Sequence, residues 1–195
     1  MVVRKISDPS RPDASVLAEA VAVLRKGGLI ILPTDTVYGL GTLPEYVGHL
    51  FAAKKRPVNK QIAWLIADIQ HVPVILSPLA QRLAAAFWPG PLTLVLPHGD
   101  GAIGLRIPDH PVALSLLRAL GGPLAVTSAN VSGEQPACSA INAHRAVGSF
   151  ADFILDAGPT RGDTASTVIR LHNDQIELLR TGTIHLAQIH SVISD

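Results

Sequence analysis

PLAQRLAAAFWPGPLTLVLPHGDGAIGLRI, residues 78–107, is the stretch that decides the fold class. Pro78 to Phe87 reads as a helix stopped by Pro89-Gly90-Pro91. Leu92 to Leu96 and Ile103 to Ile107 read as strands joined by the turn His98-Gly99-Asp100-Gly101. A helix running into a hairpin does not keep a strict βαβ rhythm, and the rest of the chain intermixes elements in the same way. Upstream, Asp13 to Lys26 reads as a helix. Asp13 caps it, Val16, Leu17, Ala20, Val23 and Leu24 form its apolar stripe, and Gly27-Gly28 ends it. Leu29 to Leu32 is a short buried strand stopped by Pro33, Pro44 to Lys54 a helix with Val47, Leu50 and Phe51 inward, and Ile62 to Ala67 a strand. Downstream, Pro111 to Leu120 is a helix with Pro at its first turn and Gly121-Gly122 after it. Leu124 to Thr127 is a strand, Ala140 to Val147 a helix, and Phe153 to Leu155, Thr167 to Leu171 and Gln175 to Leu179 are strands. Ile184 to Ile193 closes the chain as a short helix. The pattern predicts an α/β fold with a mixed, twisted sheet and flanking helices.

The chain has 195 residues, 48% hydrophobic and 16% charged, which excludes intrinsic disorder. Its length predicts one domain over residues 1–195, able to bury about 70% of its extended surface without disulfides or metal. Sixteen Lys and Arg against fifteen Asp and Glu give a net charge of +1, so no global field draws in nucleic acid or anionic lipid. Cys138 is the only cysteine, which fits a reducing compartment. The N-terminus lacks the apolar stretch of a secretory signal. The longest charge-free apolar region, Leu83 to Pro97, is broken by Pro89, Gly90 and Pro91, too short to span a membrane. A cytoplasmic location is expected.

Standard motifs are missing. There is no phosphate-binding G-x-x-x-x-G-K-[ST] loop, and Gly39-Leu40-Gly41 lacks the third glycine of a dinucleotide fingerprint. No H-E-x-x-H occurs and the eight histidines are scattered, so no protein-held metal site is expected. No G-x-S-x-G elbow occurs. Asp109, His110 and Ser115 are close in sequence, which is poor grounds for a triad.

Four polar, Pro/Gly-rich stretches read as loops beside strand ends, where ligands of open α/β sheets sit: Thr34–Leu43, Lys54–Gln61, Ser128–Ser139 and Gly158–Ala165. In the first, Thr34 and Thr36 alternate and share a side if the chain is extended. Their hydroxyls suit a small polar ligand, though a plain glycine turn has the same composition. The second, Lys54-Lys55-Arg56-Pro57-Val58-Asn59-Lys60, packs four cations into a short loop. Helix-end cations offsetting the dipole account for Lys54 and Lys55 but not for the run to Lys60; phosphate binding is the other reading, and the loop alone does not choose between them. The third, Thr127-Ser128-Ala129-Asn130-Val131-Ser132-Gly133, can present hydroxyls and N–H groups to an anion, or be an ordinary Ser/Asn turn. Arg106, on an apolar strand, is either solvent-facing at an edge or a carboxylate binder. Ser166-Thr167 precedes a strand, and Arg180 follows one.

Together these segments closely resemble the YrdC-like family, in its single-domain TsaC type, the threonylcarbamoyl-AMP synthases. The matching pieces are PTDTVYGLG at 33–41, KKRPVNK at 54–60, WPGPLTLVL at 88–96, GLRIPDHP at 104–111, TSANVSG at 127–133, STVIRL at 166–171 and LLRTGTI at 178–184. The chain ends soon after the last, so the extra C-terminal domain of longer relatives is not expected. The resemblance implies a twisted mixed sheet with a concave, positively charged cavity. It also implies nucleotidyl transfer: L-threonine, bicarbonate and ATP, with Mg²⁺ on the nucleotide, give threonylcarbamoyl-AMP and pyrophosphate. A separate transferase then modifies the adenosine beside the anticodon of tRNA.

By that resemblance, Lys54 and Arg56 are catalytic, and Thr34, Arg106, Thr127 and Ser166 bind threonine. Arg56, Lys60, Ser128, Asn130 and Arg180 bind ATP, and Lys54 to Gln61 is the candidate lid. The chain departs from relatives at Lys60-Gln61, where many carry Asn-Pro, and at Leu65, where longer ones carry a threonine-binding His. It departs again at Pro136-Ala137, where some carry a hydroxyl. Two other functions compete. One is an RNA-binding or ribosome-maturation factor, disfavoured by 4% aromatic residues and a near-neutral charge, with weak RNA contact still open. The other is adenylation of a carbamoyl group from carbamoyl phosphate, as in hydrogenase-maturation relatives that use further domains.

Overall fold

The computed structural model of the protein describes residues 1–54, 62–173 and 175–194. Ten strands among them form one mixed sheet: β1 Val2–Lys5, β2 Ile30–Leu32, β3 Gly39–Thr42, β4 Ala63–Leu65, β5 Leu92–His98, β6 Gly101–Arg106, β7 Leu124–Ser128, β8 Phe153–Asp156, β9 Thr167–His172 and β10 Gln175–Arg180. Their spatial order is β1-β8-β2-β3-β7-β4-β6-β5-β9-β10. Four of the pairs are parallel (β1 with β8, β2 with β8, β4 with β6, β5 with β9) and the other five antiparallel. The helices are α1 Ala14–Arg25, α2 Gly48–Lys54, α3 Pro78–Phe87, α4 Pro111–Leu120, α5 Ala140–Val147 and α6 Leu186–Ser194. None of them is long and apolar enough to cross a membrane.

Local chemistry sets the helix ends. Asp13 caps α1 by accepting the Ser15 N–H at 2.7 Å, and Gly27, at φ +79°, turns the chain out of it through a left-handed conformation. Ser77 caps α3 and Ser139 caps α5 in the same way. The inward face of α1 is Leu17, Ala20, Val21 and Leu24. Val16 and Val23 pack beside it half-buried.

Alternation along the strands assigns the two faces of the sheet. On β2, Ile30 and Leu32 join the core under α1 and α4, while Ile31 joins the core under α2 and α5 on the other face. Both faces are covered, so all three residues are buried. On β5, Leu92, Leu94 and Leu96 point to the core under α3 and α6. Thr93 and Val95 point the opposite way, into a cavity whose lining among the described residues includes no helical one. Strands β6 and β9 repeat the division: Ile103, Leu105, Ile169 and Leu171 enter the core, while Gly104, Arg106, Val168 and Arg170 line the cavity.

Three expectations are corrected. Gly39–Thr42 lies within the stretch read as a loop, Thr34–Leu43, yet forms a fully buried strand between β2 and β7. The helix read over Pro44–Lys54 is interrupted. Pro44–Tyr46 is a 3₁₀ turn, and α2 begins after Val47, whose N–H bonds the Pro44 carbonyl three residues back. Val2–Lys5, read as nothing regular, adds an edge strand by pairing with β8. Elsewhere the strands differ from the expected bounds by one to three residues, as at β4, which stops at Leu65, and α6 begins two residues later than expected.

Candidate functional site

The cavity on the uncovered sheet face encloses about 450 Å³. It gathers six of the residues assigned a binding role from the sequence: Thr34, Arg106, Thr127, Ser128, Ser166 and Arg180. They come from five segments, brought together because β3, β7, β4, β6, β5 and β9 are consecutive in the sheet.

One wall is built on Arg106, whose side chain is almost fully buried. Strand parity aims it away from the core that holds Leu105, and its burial on that other face excludes the solvent-facing alternative. Its Nε donates to the Gly90 carbonyl at 3.0 Å and its Nη1 to the Thr36 hydroxyl at 3.1 Å. Its Nη2 is hydrogen-bonded and ion-paired to Asp35. Burial pushes the guanidinium down from its ordinary value, and the Asp35 charge and hydrogen bond pull it back. The Thr34 hydroxyl donates to the Val37 carbonyl at 2.6 Å and accepts the Thr36 N–H at 3.2 Å. Since that proton is committed, Thr36 donates its own hydroxyl proton to Thr34 across 3.0 Å. The Thr34 hydroxyl is therefore filled by its own turn.

A second part of the lining is Ser166, with its Oγ 2.8 Å from the Thr93 hydroxyl. Arg180 grips it twice, from Nη2 to Oγ at 2.9 Å and from Nε to the Ser166 carbonyl at 3.0 Å. A register shift between Leu178 and Arg180 turns both Leu179 and Arg180 toward the cavity. Behind Ser166, the Thr167 hydroxyl donates to the Ile184 carbonyl at 2.7 Å and accepts from the Gly182 and Ile184 N–H groups.

The third element is the turn after β7. Lys54, the last residue of α2, is buried beneath it. Its Nζ donates to the Ser128 carbonyl at 2.6 Å and reaches Asn130 Oδ1 at 3.2 Å and the Thr127 and Ser128 hydroxyls at 3.3 Å each. Asn130 Nδ2 donates to the Glu134 carbonyl at 2.6 Å, and the Ser128 hydroxyl donates to Asn130 Oδ1 at 2.5 Å. Lys54 and Asn130 thus support the Thr127–Ser128 part of the wall from behind. Tyr38 anchors the same corner: its hydroxyl donates to the Gly158 carbonyl at 2.6 Å and accepts the Ala157 N–H at 3.2 Å. Burial pushes the phenol up to about 12.

Arg56, Lys60 and the rest of the expected lid after Lys54 lie outside the described residues. Arg170, also on the lining, is ion-paired to Glu177 at 2.8 Å in a half-exposed pair. Leu65 lines the cavity as an apolar, buried residue, so nothing hydrogen-bonds at that point of the wall. Sequence reading missed Asp35, Thr93, the Gly90 carbonyl and Arg170. The hydroxyl of Thr93, at the odd position of Leu-Thr-Leu-Val-Leu, was the available signal. Among the described residues no group of three or more His, Cys, Asp or Glu is placed to hold a metal ion.

The family model for Sua5, YciO and YrdC proteins, described as telomere recombination, matches residues 22–182. The chain belongs to the Sua5/YciO/YrdC family. Within that family it is 37% identical to the threonylcarbamoyl-AMP synthase of Bacillus subtilis over 96% of this chain and 59% of that one. It is 38% identical to the threonylcarbamoyl-AMP synthase of Stenotrophomonas maltophilia over 79% of this chain and 92% of that one. The crystal structure of Pyrococcus abyssi Sua5 complexed with L-threonine superposes with a TM-score of 0.93 at 32% identity, covering 99% of this chain and 61% of that one. The chain therefore spans about six-tenths of the Bacillus and Pyrococcus members of the family and nearly all of the Stenotrophomonas one.

Proposed function

We propose that this chain, residues 1–195 as one YrdC-like domain, is a nucleotidyltransferase that makes L-threonylcarbamoyl-AMP and pyrophosphate from L-threonine, bicarbonate and ATP. The observation that carries this reading is the convergence of Thr34, Arg106, Thr127, Ser128, Ser166 and Arg180 on one cavity. Its volume falls among ligand pockets of about 300–1,000 Å³. The Sua5 relative that superposes over nearly the whole chain is a threonine complex, which favours an amino acid as one occupant.

In this reading Arg106 takes the threonine carboxylate, a task suited to a planar guanidinium. Ser166 and Thr127 supply hydroxyls in the same pocket. Thr34 shapes it through its turn, because its hydroxyl is already filled. Ser128 and Arg180 face the nucleotide, joined by Arg56 and Lys60, while Asn130, which is not on the cavity lining, holds the Ser128 turn from behind. Lys54 and Arg56 carry the catalytic charge, and Mg²⁺ rides mainly on the phosphates.

The chemistry closes without a covalent enzyme intermediate. Bicarbonate, with a proton, gives CO₂ and water. The threonine amine attacks CO₂ and loses a proton to give the carbamate. A carbamate oxygen then attacks the α-phosphorus of ATP, the α–β phosphoanhydride bond breaks, and pyrophosphate leaves. The cations stabilise the charge growing on that leaving group, and positioning supplies most of the rest. The adenylate then passes to a separate transferase acting on tRNA, and the reaction is expected in the cytoplasm.

The test is incubation of purified protein with ATP, Mg²⁺, bicarbonate and single amino acids. Pyrophosphate release that needs both threonine and bicarbonate supports the proposal. Salt-sensitive RNA affinity with no such release would point instead to an RNA-binding factor.

A further inference from the structure

Arg106 is held at three points by three different groups: the Gly90 carbonyl, the Thr36 hydroxyl and the Asp35 carboxylate. A guanidinium has five N–H donors. Among the described residues three are used, which leaves one on each terminal nitrogen, the complement of a ligand carboxylate bound by two parallel bonds. Asp35 itself is not on the cavity lining, although Thr34 and Thr36 on either side of it are. It therefore acts through Arg106 and not on a ligand.

Its own situation is costly. Asp35 Oδ2 is buried with no hydrogen-bond partner among the described residues. A buried ion pair is weak ground for stability, because desolvation offsets the attraction. The acid is explained better by what it does to the arginine.

We propose that Asp35 is a positioning residue for amino-acid recognition. It fixes the plane of the Arg106 guanidinium so that its two free N–H groups face the cavity and select a small carboxylate. The inference rests on the proposed threonine-dependent synthesis and adds to it a residue that never touches the substrate.

Two substitutions separate position from charge. Asp35→Asn keeps an oxygen where Oδ1 stands and removes the charge. Asp35→Glu keeps the charge and displaces the oxygen by one methylene. The KM values for threonine and ATP are measured for each, with thermal denaturation as the check of folding and calorimetric titration with L-threonine as a readout free of turnover. The expected order is a threonine KM within threefold of wild type for Asp35→Asn and raised tenfold or more for Asp35→Glu. The ATP KM stays within twofold in both. Asp35→Ala replaces Asp35→Glu, with the same expectation, should the longer side chain prevent folding. A larger loss in Asp35→Asn than in Asp35→Glu overturns the positioning role in favour of charge. Threonine values unchanged in both variants, or parallel losses for threonine and ATP, overturn it as well. A wild-type protein that binds threonine but makes no adenylate refutes the proposed function alone, and the calorimetric series then decides on Asp35 by itself. One that binds no threonine refutes both.

Discussion

Each polar side chain around the cavity is already engaged with a neighbour, and those partners fix what it can do. Ser166 bonds Thr93 and Arg180 at once, so Ser166→Ala removes a hydroxyl from the cavity wall and one of the contacts of Arg180, which keeps its bond to the Ser166 carbonyl. It is expected to raise the KM for threonine more than that for ATP, read from separate titrations. Lys54→Met removes the ammonium that reaches Thr127, Ser128 and Asn130. Loss of one such group is expected to lower turnover by at least about 100-fold, with the circular dichroism spectrum unchanged. His110 gives a pH signature. Burial, partly opposed by the Asp35 and Asp109 charges and assisted by Arg161, lowers its pKa from 6.5, and it sits where the positive end of α4 also disfavours a cation. Below 6.5 the unfolded chain takes up the proton more readily than the folded one. This contribution to stability is therefore complete above 6.5 and is lost as pH falls through the lowered folded value. Urea denaturation of wild type and His110→Gln between pH 5 and 7.5 reads it: the wild-type loss toward low pH is expected to shrink in the variant. At this scale Arg106 was legible because it is charged on an apolar strand, Lys54 because it opens a dense run of cations, and Ser166 only through the motif it shares with the family. Asp35 was not, because a Thr-Asp-Thr turn needs no buried partner to be ordinary.

Among the elements, the helices were the most legible, since caps and prolines mark their ends. Residues 78–87, 111–120 and 140–147 form helices as read. Strand β3 was hidden by its glycines. Gly39 is flat against β7, where a Cβ would stand 2.5 Å from Val126 Cγ1. That need for close approach comes from a strand more than eighty residues away, and no local pattern displays it. Gly182 is confined in a similar way. A Cβ there would lie 2.3 Å from the Thr167 nitrogen and 2.4 Å from the Ala165 carbonyl oxygen, both backbone atoms. Gly182→Ala must push the loop after β10 off the start of β9. It is expected to cost about 1–3 kcal/mol in chemical denaturation and to lower activity through the displaced Ser166 and Arg180.

At the scale of the whole molecule, one sheet does two jobs by parity. Helices cover both of its faces around β2. Over β6, β5 and β9 the described helices cover one face, and the other is left to the cavity. The mixed sheet could be read from the sequence, and so could the residues that meet on it, because the resemblance runs from Pro33 to Ile184. The strand order could not, since it depends on pairings across the length of the chain. The lone thiol, Cys138, donates weakly to the Pro136 carbonyl at 3.8 Å and is not among the residues lining the cavity. Cys138→Ser is expected to keep adenylate synthesis within about twofold of wild type in a pyrophosphate-release assay, as a surface-type substitution should. The account as a whole is tested most directly by a crystal structure of the protein soaked with L-threonine and a non-hydrolysable ATP analogue. The threonine carboxylate is predicted on Arg106, with the nucleotide phosphates between the Ser128–Asn130 turn and Arg180. Either ligand bound outside this hollow, or threonine seated with its carboxylate away from Arg106, would contradict it.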